Sequence, residues 1–204
     1  KIENCEISTN SRNGITIVNS IAEVKGNEIA NNFESGIEIT GDNQVIIQKN
    51  TVRSNADGIL LTGDFTTGVS ITENILTSNT QSGIQLDADE YDNVVILNNV
   101  LSANNNGFYV SGQASTYITN NSVSYNGIGI FYAQGTDHVA CYNDIYGNEY
   151  GMDASSNTTV NAEYNYWGHE SGPYHTSLNP LGKGNPVGGD GANLDFIFFL
   201  TAPI

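Results

Sequence analysis

A unit of about 22 residues recurs along this chain, and nothing else in the sequence restricts the fold as strongly. It reads V-x-I-x-x-N-x-I-x-x-N-x-x-(x)-G-I-x-I. Its first Asn falls at Asn27, Asn50, Asn74, Asn99, Asn121, Asn143 and Asn165, with Cys5 in that place in the first unit. Five residues later comes a second Asn: Asn10, Asn32, Asn55, Asn79, Asn104, Asn126 and Asn148. Gly14, Gly36, Gly58, Gly83, Gly107, Gly129 and Gly151 follow within four residues. Between these markers apolar and polar residues alternate, which is the period of a strand. Stacking the units aligns apolar columns, among them Ile29, Val52, Leu76, Leu101 and Val123, or Ile37, Ile59, Ile84, Phe108 and Ile130. A lone unit cannot bury its apolar side, whereas stacked units form one continuous core.

The predicted architecture is all-β: a right-handed, three-sheeted parallel β-helix of about seven coils, residues 1–167, followed by a C-terminal capping segment, 168–204. Right-handed winding follows from the crossover preference of parallel strands. Asn at one turn of every coil can bond its neighbour about 4.8 Å away and satisfy turn backbone groups, forming a ladder. The Gly column is read as positive φ at the turn into the next strand. The 29 Asn and 22 Gly make up a quarter of the chain, a composition that opposes helix. All four prolines (Pro173, Pro180, Pro186, Pro203) follow residue 172, as expected if only the tail escapes the hydrogen-bonded ladder. Trp167 takes the Ile column's place in the last unit and is expected to cover the core's open end. Lys1 starts inside a coil, so the chain reads as a piece of something longer.

These repeats resemble those of right-handed parallel β-helix proteins, a group that includes pectate-lyase-like enzymes, NosD-type copper-accessory proteins and archaeal and bacterial surface proteins. The segment Asn165-Tyr-Trp-Gly168, Ser171-Gly-Pro173 and Asn179-Pro-Leu-Gly-Lys-Gly184 resembles the closing motif of such surface proteins. The resemblance implies the fold, while that fold hosts unrelated activities.

Six Lys and Arg against 22 carboxylates give a charge of −16. That argues against nucleic acid, which requires a basic footprint. No apolar run is long enough to span a bilayer. Cys5 and Cys141 sit six coils apart, roughly 29 Å, beyond disulfide reach. His138 falls in the column of Val45, Val69 and Val94 and reads as a packed imidazole. His169, Glu170 and His175 fit no recognised ligand pattern.

Other residues are candidates for function. Stacking brings Asp42, Asp64 and Asp87 or Asp89 to one edge, either as Ca²⁺ ligands or as a solvated acidic edge. Tyr109 and Phe131 are expected as neighbours on one exposed face; Ile46, Val95, Tyr117 and Val139 form a second outward stripe. Such stripes mark contact surfaces. Lateral contact is the preferred reading over carriage of sugar rings. Asn120 and Asn157 head glycosylation sequons. A lyase needs a base and a hydrolase paired carboxylates. Arg12 and Arg53 are read in the Asn turns, and Glu38 and Asp153 are five coils apart. The signatures of the polygalacturonase-like and epimerase branches are missing. The expectation is a non-catalytic extracellular structural or adhesive module at a cell surface. It would be a homo-oligomer or bind another envelope protein. The alternative is a secreted protein that binds or cleaves polysaccharide.

Overall fold

The computed structural model describes residues 1–41, 44–63, 68–88, 94–188 and 193–204. Among these it is all-β, with parallel strands in three sheets and no helix. Sheet 1 has nine strands: Ile2–Glu3, Ile21–Lys25, Gln44–Gln48, Val69–Thr72, Val94–Leu97, Tyr117–Thr119, His138–Cys141, Val160–Asn161 and Leu194–Asp195. Sheet 2 stacks seven three-residue strands, from Glu6–Ser8 to Asp144–Tyr146. Sheet 3 stacks seven more, from Ile15–Val18 to Tyr150–Ala154. The chain visits the sheets in that order once per coil. Ile37 pairs with Ile59, Ile59 with Ile84, and Ile84 with Phe108, so the aligned columns of the sequence are columns in space.

Two ladders of Asn side chains run through the corners at either end of sheet 2. The Asn74 Oδ1 accepts from the Asn50 backbone N–H (2.9 Å) and from Asn50 Nδ2 (3.0 Å). The Asn74 Nδ2 donates to Asn99 Oδ1 at 3.0 Å and back to the Ile47 carbonyl at 2.9 Å. One amide therefore ties three coils. The second ladder, Asn10 to Asn148, repeats this arrangement and gains an eighth member from the tail: Asn148 Nδ2 donates to Asn185 Oδ1 at 3.0 Å.

The residue before each ladder Asn of the coils, though not before Asn185 of the tail, is left-handed. At one corner Lys49, Glu73, Asn98, Asn120, Tyr142 and Tyr164 have φ between 54° and 57°. At the other, Asn31, Ser54, Ser78, Ala103 and Tyr125 have φ between 56° and 58°. The column Gly14 to Gly151 lacks positive φ, which corrects the expectation above. These glycines answer to space. A Cβ on Gly83 would lie 2.8 Å from the Gly107 carbonyl oxygen and 2.9 Å from Leu101 Cδ2.

The coil from Val45 to Leu61 buries five apolar side chains, Val45, Ile47, Val52, Ile59 and Leu61. At roughly 1.5–3 kcal/mol each, their burial exceeds the strain of two left-handed corners at roughly 1–2 kcal/mol each. Packing thus outweighs the cost of turning.

Trp167 is fully buried, below a tail that rejoins all three sheets. Leu194–Asp195 pairs with Val160–Asn161, Val187 bridges Met152, and Leu200 bridges Tyr166. Leu194 and Phe196 are buried with the core. Beyond Trp167 the chain makes an excursion containing a two-stranded ribbon (Pro173–Tyr174 with Gly184–Pro186), then completes one more irregular turn.

Ala103→Gly relieves a left-handed corner at an exposed site and is expected to stabilise the protein by up to about 1 kcal/mol. Gly83→Ala, with normal φ but no room, is expected to cost about 1–3 kcal/mol. Urea denaturation of the two variants checks both.

Candidate functional site

The outer surface of sheet 1 carries a row of side chains at one register position. Ile46 pairs with Ser70, Ser70 with Val95, and Tyr117 with Val139, one residue per coil. Tyr117 is 65% exposed, and Ile46 and Val95 are also exposed; Val139 is partly covered. Three clefts lie along this row. One of about 540 Å³ takes in Ile46 and Val95, one of about 290 Å³ lies between Val95 and Tyr117, and one of about 480 Å³ takes in Tyr117 and Val139. Adjacent clefts share a wall, Val95 or Tyr117, so the groove is interrupted, and its middle section reaches inward to buried Leu86, Ile96 and Thr116.

Tyr109 and Phe131 lie on the outer surface of sheet 3, in register, with ring centroids 5.6 Å apart and planes 12° from parallel. Both are half-buried rather than exposed. Gln85 precedes them in the column and Asp153 follows. Each ring therefore turns one face onto the other, which leaves that face closed to a sugar.

Asp87 ends its strand and is exposed; Asp42, Asp64 and Asp89 lie outside the described residues. Among the described residues no three His, Cys, Asp or Glu side chains gather around a common point. Asn120 and Asn157 are both exposed, Asn120 at a left-handed corner beside buried Asn121. Arg53 corrects the sequence reading. It ends the strand Thr51–Arg53 on sheet 2 and is tied to Glu28 through Nε at 3.1 Å and Nη2 at 2.5 Å. Cys5 and Cys141 are free thiols, the first exposed and the second buried.

A further aromatic column is invisible to the strand pattern. Tyr142 and Tyr164 stack at 5.5 Å and Tyr164 and Phe198 at 6.3 Å, all on the corner between sheets 1 and 2. The signal for the first pair was available: each Tyr directly precedes a ladder Asn, at Asn143 and Asn165.

A family model described as the right-handed beta helix region matches residues 1–123 and 87–172. The chain belongs to that family. Searches of curated proteins and of solved structures give no match. No helix among the described residues is long and apolar enough to cross a membrane.

Inside the β-helix sits one polar group of three residues. His138 is 1% exposed and occupies a core position between Thr116 and Val160. Its Nε2 donates to the Gln134 carbonyl at 2.8 Å, and its Nδ1 accepts from the Thr116 backbone N–H at 3.3 Å. The Tyr132 ring packs on the imidazole at 4.5 Å. Burial holds the His138 pKa below its ordinary value, and the Gln134 carbonyl opposes this only in part. Burial likewise pushes the Tyr132 phenol well up. Both bonding positions of a neutral imidazole are used, so the cluster is structural.

An unfolded histidine takes its proton near pH 6.5, while folded His138 does so only at lower pH. In that window the unfolded chain binds the extra proton. The fold therefore has this contribution in full above about pH 6.5 and loses it as pH falls. His138→Val, matching Val45, Val69 and Val160 in the column, is expected to lessen the stability lost between about pH 7 and pH 5. Urea midpoints at the two pH values measure it.

Proposed function

We propose that this β-helix is a non-catalytic structural or adhesive module of an extracellular surface, associating side to side through the outer face of sheet 1. The apolar row Ile46, Val95, Tyr117 and Val139 carries the reading. Four apolar residues at one register position, interrupted by Ser70 between Ile46 and Val95, form a row that water solvates poorly and a matching surface can cover. The rest of the surface, rich in Asn, Thr, Ser and carboxylates with few Lys, suits a secreted or envelope setting. Ca²⁺ at Asp87 and its neighbours belongs to the same reading. The partner is a second copy or another envelope protein.

The groove also favours a second reading, an elongated polysaccharide lying along the axis. The stacked Tyr109 and Phe131 rings weigh less for it, since their facing sides are already occupied.

Sedimentation velocity and negative-stain microscopy over a range of concentrations, with and without Ca²⁺, test the proposal. Ordered assemblies are expected from the native sequence. Val95→Thr combined with Tyr117→Ser is expected to disperse them without shifting the thermal midpoint. Monomers under every condition, with retardation in polysaccharide-containing gels that the double variant loses, would move the assignment to the second reading.

A further inference from the structure

The tail builds a cleft that the lateral surface does not involve. It has a volume of about 430 Å³ and lies where the ribbon meets the last regular coil of sheet 3. Glu149, Tyr150, Tyr174, His175, Pro186 and Val187 are among the residues that line it.

His175 sets the chemistry of this cleft. Its side chain is 4% exposed, with the ring against Phe196 at 5.4 Å. The Nδ1 accepts from the backbone N–H of Leu178 at 3.0 Å and of Ser177 at 3.3 Å. An imidazole nitrogen that accepts two N–H bonds carries no proton, so the proton sits on Nε2. The described residues supply no acceptor for that Nε2–H. On a residue that lines the cleft, that Nε2–H is a donor open to an acceptor that enters it.

The other walls define the rest of the ligand. Tyr150 and Tyr174 are 45% and 41% exposed, two large aromatic surfaces in the lining. Glu149 adds a carboxylate. Beyond residue 53 the chain holds fifteen of its 22 carboxylates but only Lys183 among its six Lys and Arg, so the field here is strongly negative. An anionic acceptor is disfavoured, whereas a neutral carbonyl joined to a cation satisfies every wall. The cation meets Tyr faces and the carboxylate; the carbonyl meets His175.

We infer that this cleft binds a basic residue, lysine or arginine, presented on a peptide, with Nε2–H of His175 donating to a peptide carbonyl and Tyr150, Tyr174 and Glu149 holding the cationic side chain. The site is separate from the stripe on sheet 1, so either assignment can fail alone.

The test is NMR titration of the isotopically labelled full chain with Nα-acetyl-lysine methylamide. The norleucine and glutamate analogues and N-acetylglucosamine serve as comparison probes. The lysine probe is expected to shift the signals of Tyr150, Tyr174 and His175 saturably. The norleucine analogue is expected to bind about tenfold more weakly, the scale of a cation–aromatic contact plus one rim carboxylate, and the glutamate analogue not at all. Glu149→Gln and Tyr174→Ala should each weaken the lysine probe with the thermal midpoint unchanged; if Tyr174→Ala disturbs the fold, Glu149→Gln alone decides. Equal binding of lysine and norleucine probes, no saturable shift with lysine, or saturation by N-acetylglucosamine alone would each overturn the assignment.

Discussion

A corner that turns one strand into the next leaves backbone N–H and C=O groups facing a core that is otherwise apolar. Here a primary amide sits at two of the three corners of each coil, and its geometry matches the spacing between coils. Its oxygen takes two N–H groups from the coil before, and its nitrogen gives one hydrogen to the coil after and one to a carbonyl behind. Only Asn has the reach and the donor–acceptor pair for this; Asp lacks the donors and Gln is longer by a methylene. The left-handed residue preceding it is a consequence. Among the described residues, fifteen non-Gly residues at positive φ, most of them at these corners, are tolerated because the ladder and the buried columns over-determine the turn.

With the corners held from inside, the outward positions are free of folding duty. The outer surface of sheet 1 can therefore carry Ile46, Val95 and Tyr117, and sheet 2 can carry Arg53 with Glu28, without disturbing the coil. The tail obeys the same rule. It departs for seventeen residues beyond Trp167 and is brought back where Asn185 extends the second ladder. The cleft beside His175 exists because of that departure, since it lies where the ribbon meets the last regular coil of sheet 3.

Much of this was legible in the sequence because the constraint is periodic. Asn at fixed spacing, apolar residues at alternate positions and a Gly after each second Asn specify the sheets, their order and the register. The Gly column was assigned to the wrong cause, since sequence cannot distinguish a residue that needs positive φ from one that has no room for a Cβ. The corners that do have positive φ hold Asn31, Asn98, Asn120, Gly26 and Gly147 but also Lys49, Glu73, Ala103 and Tyr125, residues with no such preference, so identity alone does not mark the column. Asn185 and Phe198 were missed for another reason: the excursion of the tail breaks the spacing. The outward stripe on sheet 1 was legible, because alternation fixes which side a residue faces, but burial was not. Tyr109 and Phe131 read as exposed and are half-covered by one another and by their neighbours.

The claim that the amide ladder bears the fold is tested most directly by Asn99→Ala, measured by urea denaturation with amide hydrogen exchange. The substitution leaves the Asn74 N–H and Nδ2 without their acceptor and takes one donor each from the Ile71 carbonyl and the Asn121 Oδ1, which keeps the residue 99 backbone N–H. The account expects a loss of roughly 3 kcal/mol or more, with faster exchange in the coils on both sides of residue 99. A loss within about 0.5 kcal/mol, the range of an unremarkable surface change, would contradict it.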